Sequence, residues 1–329
     1  MRQVSKIGWL DRNAMANNEI DLGFSSHGRE APTRDLTRLS PLIRRVIAPN
    51  ASPFTFTGTC SYIVGNSVVA IVDPGPADES HLRALLTGVK GERVETIFVT
   101  HTHRDHSAAA NALRRATGAR VVGAAPYAPG RDGEDGLDSP HDPDYAPDAV
   151  LRDGEWMQGS DFTLETVATP GHSANHLCFA IPEENALFSG DHVMAWSTSV
   201  IAPPDGSMGA YMASLERLRS RADTIYWPGH GGPVPEPAEY LRALIRHRRQ
   251  REASILAALR EGAATIPDLV AKVYDGLAPS LIEAAGLSTL SHLEDLRERG
   301  LVVRIATGKS NGAHFRLFSA HELLPPSRP

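Results

Sequence analysis

The pattern of apolar and polar positions changes character three times along the chain. Residues 1–48 are polar and weakly patterned, which predicts an N-terminal arm that is extended along the main domain or partly disordered. From Phe54 onward short apolar runs take over. TFTGTCSYIVG and SVVAIVDPG, separated by Gly65-Asn66, predict a hairpin. A helix is predicted over 79–89, a buried strand over IFVT (97–100), a helix over SAAANALRRATG (107–118) ended by Gly118, and a strand over RVVGAA (120–125). This alternation is α/β layering. Residues 126–149, dense in Pro, Gly and Asp, predict a surface loop beside the mouth of a site. Strands resume at FTLETVATPG, HLCFAIP and ALFSGD. The helix MGAYMASLERLRSR then leads to a final strand, TIYWPGHG, and a domain spanning 49–237 is complete.

Beyond 237 the pattern is long and helical: YLRALIRHRRQREASILAALREG, TIPDLVAKVY and LSTLSHLEDLRERG. Two short β-like runs follow, LVVRIA and HFRLFSA, joined by a GKSNGA turn. Three helices and a two-stranded wing predict a small winged-helix-like α+β domain over 238–329.

Composition narrows the setting. With 329 residues, 41% hydrophobic and 22% charged, the chain can bury a large core, and its net charge of −6 supplies no general attraction for polyanions. Its two cysteines, Cys60 and Cys178, form no CxxC pair, so neither a disulfide framework nor a thiolate zinc site is implied. The first thirty residues lack the continuous apolar stretch of a signal peptide, and no run of eighteen apolar residues occurs, which predicts a soluble, cytoplasmic protein without membrane contact.

The chemistry is concentrated in FVTHTHRDHSAA (98–109). On an extended segment His101 and His103 project the same way, while Asp105 and His106 start the next turn of chain. Imidazole with carboxylate suits zinc, with iron and manganese as alternatives, and so polar a cluster is costly to bury without an ion. Further ligands are expected at the ends of later strands: His172 in TPGHSANH, Asp191 in FSGDH and His230 in YWPGHGG. Seven ligands suffice for two divalent metal ions if one carboxylate is shared. The assignment is His101, His103 and His172 on the first, Asp105, His106 and His230 on the second, with Asp191 bridging. Two such ions hold a hydroxide between them that attacks an electrophilic carbon or phosphorus. His176 reads as a structural or supporting histidine, and His192 as one that faces the substrate or supports the ligands.

HTHRDH followed by His172, Asp191 and His230 resembles the metallo-β-lactamase superfamily, with its HxHxDH signature, over roughly residues 53–237. The resemblance implies an αββα sandwich and makes Asp73 of VDPG a support for the ligands. Asp191 stands where the common zinc β-lactamases carry Cys, which disfavours antibiotic hydrolysis. Segments such as SPFTFTGTCSYIVG, GDHVMAWSTSVIAPPDGSMGAYMASL and WPGHGGPV resemble the subgroup of β-lactamase-like protein 2, which carries a winged-helix-like domain after the fifth motif.

The function expected is therefore that of a dinuclear metal-dependent hydrolase, with Asp105 and Asp191 orienting the hydroxide toward an ester-type bond. A thioester or small ester ranks above single-stranded RNA. RHRRQRE (246–252) could grip phosphates but reads better as a solvated helix face, and the helix STLSHLEDLRERG carries Glu294, Asp295 and Glu298 where a DNA reader would carry bases' partners. A nucleic-acid-binding module with a vestigial metal site is the alternative of another class.

Overall fold

A computed structural model describes residues 36–128, 140–305 and 313–318. The chain divides into two compact units between Arg242 and Ala243, whereas 237 was expected. In the larger unit, strands β1 (Thr37–Arg38), β2 (Ile43–Ile47), β3 (Cys60–Val64), β4 (Val68–Val72), β5 (Arg93–Val99), β6 (Arg120–Gly123) and β7 (Ala149–Val150) lie side by side in that order. The first four pair antiparallel and β4 to β7 run parallel. A second sheet contains β8 (Trp156–Gln158), β9 (Thr163–Ala168), β10 (Leu177–Ile181), β11 (Ala186–Gly190), β12 (Ile225–Pro228) and β13 (Val234–Pro235), again in sequential order. Here only β11 and β12 are parallel.

The near-continuous burial of these strands follows from having both faces covered. Tyr62, Phe98, Phe179, Phe188 and Trp227 fill the space between the sheets. On the other face of the first sheet Ile63, Ile71 and Ile97 pack with Leu85 and Leu113 of helices α1 (Glu79–Gly88) and α3 (Ala110–Thr117). Asp78 caps α1 through the His81 amide, and Gly118 ends α3 in the left-handed region at φ 76°. Helix α4 (Met208–Arg219) buries Tyr211, Leu215 and Leu218. The expected αββα sandwich is the observed architecture.

Parallel pairing sets the position of the site. β4 and β5 point the same way, as do β9, β11 and β12, because β9 and β11 both run antiparallel to β10. The carboxyl ends of all five therefore deliver loops to one edge, where the sheets meet: the Cys60 amide donates to the Gly229 carbonyl at 2.7 Å.

Three expectations are corrected. The arm expected over 1–48 ends in two strands, and β2 is buried throughout. Its sequence, IRRVI, hides a strand behind two arginines. Arg44 is bidentate to Glu92 at 2.7 and 3.1 Å, and Arg45 lies 6% exposed beside the Gly231 carbonyl. The helix expected over 107–118 is two pieces, a single turn α2 (Arg104–Ser107) and α3, and the extra turn carries Asp105 and His106. Of the loop expected over 126–149, residues 129–139 lie outside the described residues, while Ala149–Val150 is an edge strand.

The smaller unit contains the C-terminal part of α5 (Pro237–Arg260), α6 (Ile266–Val273), α7 (Ile282–Glu298) and strands β14 (Ala264–Thr265), β15 (Val302–Ile305) and β16 (His314–Leu317). Ile255, Leu259, Leu269, Leu293, Leu296, Val302 and Phe315 form its core. Thr265 and Asp268 make a reciprocal capping box at α6. Its sheet has the order β14-β16-β15, one strand more than the expected wing, because Ala264–Thr265 pairs with β16. The GKSNGA turn lies outside the described residues. The basic run 246–252 is not one solvated face: Arg248 is 3% exposed and Arg251 lies over the Tyr274 ring at 4.0 Å.

Phe98 and Phe179 meet edge to face between the sheets, with centroids 5.2 Å apart. Phe179→Ala should lower stability by about 3–5 kcal/mol, read from the urea midpoint at unchanged slope.

Candidate metal centre

β5 ends at Val99, and the next residues turn into the site. Thr100, His101 and Thr102 are fully buried, and the single turn α2 then brings Asp105 and His106 back toward His101. His172 follows β9, Asp191 follows β11 and His230 follows β12. All seven residues expected to ligate metal therefore meet at one edge of the sandwich.

Their atoms form two triads. In the first, His103 Nδ1 stands 3.0 Å from His101 Nε2 and 3.2 Å from His172 Nε2. In the second, His230 Nε2 stands 3.3 Å from both His106 Nε2 and Asp105 Oδ2, and His106 Nε2 lies 3.6 Å from that oxygen. Four ligands held tetrahedrally about 2.1 Å from zinc stand about 3.4 Å from one another. Both triads have the size of a face of that tetrahedron. Asp191 lies between them: Oδ2 is 3.2 Å from His230 Nε2 and 3.7 Å from His172 Nε2, and Oδ1 is 3.4 Å from His106 Nε2. Asp191 Oδ1 is buried without a hydrogen-bond partner among the described residues.

The outer nitrogens explain why these spacings call for a cation. His172 Nδ1 donates to the Val200 carbonyl at 2.7 Å, and His230 Nδ1 faces the Gly58 carbonyl at 3.4 Å. His106 Nδ1 donates to Asp73 Oδ2 at 2.9 Å. The Thr100 hydroxyl donates to Asp73 Oδ2 at 2.8 Å and so accepts from His101 Nδ1 at 3.0 Å. Each acceptor keeps the imidazole hydrogen on Nδ1 and leaves the Nε2 lone pair facing inward. Lone pairs converging in a buried site need a shared metal ion or protons. The donor set of imidazole and carboxylate fits zinc-type ions.

Charge balance agrees. Burial works against protonation of His106 and His230, but the carboxylates of Asp191 and Asp105 prevail and raise both, His230 to about 9. Burial and the neighbouring His172 lower His103 to about 3. Burial opposes ionisation of Asp191 and Asp105, yet His230 and His106 hold both carboxyls below their usual range.

Two glycines make room for this packing. At Gly229 a Cβ would stand 2.4 Å from Asp191 Oδ1, and at Gly58, φ 123°, one would strike the Ala48 carbonyl at 2.0 Å. Asp73, the support implied by the resemblance, also accepts the Thr100 amide at 2.8 Å and holds a left-handed φ of 52°. His176 is a support as expected: its Nε2 accepts the Asp191 amide at 3.2 Å, and its Nδ1 meets Thr169 Oγ1 at 2.8 Å. His192 is fully buried against Tyr211.

The sequence did not single out Thr100, Val200 or Gly58, because a hydroxyl or a backbone carbonyl leaves no residue-type signal. Nor did it single out His141 and Asp205, which form with His103 another group of candidate ligands. Both sit in Pro- and Asp-rich turns where such residues are commonplace.

Comparison with known proteins agrees with this geometry. Residues 54–230 match the family model of the metallo-beta-lactamase superfamily, and residues 265–310 match that of the beta-lactamase associated winged helix domain. An atrochrysone carboxyl ACP thioesterase from Paecilomyces divaricatus is 31% identical over 238 residues, covering 71% of this chain and 70% of that protein. A beta-lactamase-like protein 2 homolog from Caenorhabditis elegans is 30% identical over 261 residues, covering 78% and 83%. Among solved structures, a beta-lactamase domain protein from Burkholderia ambifaria superposes with a TM-score of 0.71 at 22% identity, covering 89% of this chain and 94% of that one. The chain belongs to the metallo-β-lactamase superfamily and carries its associated winged helix domain.

Proposed function

We propose that the protein is a dinuclear metal-dependent hydrolase whose substrate is an acyl thioester. The observation that carries the dinuclear reading is Asp191, which offers one oxygen to the second triad at His106 and the other to both His172 and His230. When bound, two zinc-type ions lower the pKa of water and polarise the scissile carbonyl. Asp191, lying between the triads, would help hold both ions. Asp105 is the more accessible acid, its side chain 28% exposed against 10% for Asp191, so it faces the side from which water and substrate arrive and orients the attacking O–H. In the reaction water oxygen bonds the acyl carbon, the carbon–sulfur bond breaks, and the leaving sulfur takes the proton.

Support for a thioester comes from the relatives named as acyl-carrier thioesterases. Single-stranded RNA is the second reading, supported by the resemblance to β-lactamase-like protein 2. Burial of Arg248 and the docking of Arg251 on Tyr274 take two cations out of the run that would hold its phosphates, which favours the thioester. The alternative of a binding module with a vestigial metal site is disfavoured by the completeness of both triads. Among the described residues no helix is long and apolar enough to cross a membrane, and a cytoplasmic enzyme is part of the proposal.

Zinc-loaded protein should hydrolyse acyl-CoA or carrier-bound acyl thioesters faster than lactones, phosphodiesters or single-stranded RNA. Asp191→Ala should lower turnover by more than about a hundredfold and reduce bound metal together with it. Preference for RNA would overturn the substrate, and an Asp191→Ala protein with full activity would overturn the site.

Metal uptake should also displace protons. His230, at about 9, and His106, raised above its usual value, are both charged at pH 7 in the metal-free protein, and only their neutral forms ligate. Affinity should therefore climb with pH until it passes about 9. Calorimetric zinc titrations at pH 7 in buffers of different ionisation enthalpy should show net proton release, and a buffer-independent heat would contradict the charge assignment.

A further inference from the structure

His101 and His103 turn toward the first metal position from an extended segment, so the residue between them, Thr102, points the other way. Thr102 is fully buried. Whatever holds its side chain on that outer side also sets where the two histidines stand.

The hold comes from the turn that carries His172. Asn175 Nδ2 donates to Thr102 Oγ1 at 2.8 Å and to the Ala125 carbonyl at 2.7 Å, while Asn175 Oδ1 accepts the Ser173 hydroxyl at 2.9 Å. A carbonyl can only accept, so Ala125 fixes which end of the amide is nitrogen, and both amide hydrogens are used. Asn175 thereby joins the segment of His101 and His103 to the turn of His172.

The contacts continue into a closed ring. With Asn175 donating to Thr102 Oγ1, the hydrogen of that hydroxyl is available to His141 Nδ1, 2.7 Å away. His141 Nε2 lies 3.3 Å from Asp205 Oδ2, and Asp205 Oδ1 accepts the amide of Ala174, the neighbour of Asn175, at 2.9 Å. Backbone follows the same path: the Asp142 amide donates to the Thr102 carbonyl and the Arg104 amide to Pro140, each at 2.8 Å. The ring links the segments that bear all three histidines of the first triad. Those of the second are backed elsewhere, His106 by Asp73 and His230 by the Gly58 carbonyl.

We infer that Asn175 is a positioning residue for the first metal position: by tying Thr102 to the His172 turn it sets the distance between His172 and the pair His101 and His103. The inference rests on the two-triad reading above and extends it. The separations at stake are the 3.0 Å between His101 Nε2 and His103 Nδ1 and the 3.2 Å between His103 Nδ1 and His172 Nε2. A residue that orients ligands without touching the ion contributes about 10–100-fold to metal affinity.

The test is zinc competition against a chromophoric chelator, with metal content measured in parallel, on wild type, Asn175→Ala, Thr102→Val, Thr102→Ser and the double variant of Asn175→Ala with Thr102→Val. Wild type should bind two ions. Asn175→Ala should weaken one of them by about 10–100-fold while the other keeps its affinity, with circular dichroism unchanged. Thr102→Val should weaken the same ion, Thr102→Ser should retain it, and adding Asn175→Ala to Thr102→Val should cost little more, because both act through one hydrogen bond. Two ions bound by Asn175→Ala at wild-type affinity would overturn the inference while leaving the two-triad reading intact. Equal weakening of both ions, or losses that simply add in the double variant, would also overturn it. A wild type that takes up fewer than two ions would overturn both. Should the variants fail to fold, hydrogen exchange of the Asn175 side-chain amide in zinc-loaded wild type decides: both hydrogens should exchange slowly, and fast exchange would overturn the tether.

Discussion

The structure depends on one constraint: imidazole hydrogens turned outward so that lone pairs converge. Carbonyls at Val200 and Gly58, the Thr100 hydroxyl and the Asp73 carboxylate each accept a hydrogen, turning the Nε2 atoms of His172, His230, His101 and His106 inward, 3.0–3.6 Å from their neighbours across the two triads. In a buried place that arrangement is unfavourable without a metal ion or protons, and the same acceptors that create it would orient the residues that hold an ion.

The αββα sandwich makes the constraint affordable to hold. Parallel pairing of β4 with β5 and of β11 with β12 brings Asp73, the HTHRDH segment, Asp191 and His230 to one edge. The inter-sheet contact between Cys60 and Gly229 then ties the two halves together there. Local conformations accept strain for the same end. Asp73 holds a left-handed φ because its two oxygens serve Thr100 and His106 together. Gly229 leaves the space that Asp191 and His106 occupy.

Legibility in the sequence followed the physics of each feature. The candidate ligands could be picked out because histidine and aspartate in HTHRDH, and singly after later strands, are rare in buried edges without a purpose. Long periodic elements such as Pro237–Arg260 were readable for the same reason, since repetition averages out local exceptions. β2 was not, because Arg44 and Arg45 mask a buried strand whose guanidinium groups are satisfied by Glu92 and a distant carbonyl. Nor was the break between α2 and α3, since alanine-rich sequence continues smoothly across it. The acceptors behind the histidines were invisible where they are backbone atoms. His141 and Asp205 escaped because pairing between residues 141 and 205 is a property of the fold and not of either turn.

The most direct test of the central claim is a crystal of zinc-loaded protein measured on both sides of the zinc absorption edge. Two anomalous peaks are predicted, one among His101, His103 and His172 and one among Asp105, His106 and His230, with Asp191 between them. A single peak, or peaks away from these residues, would contradict the account.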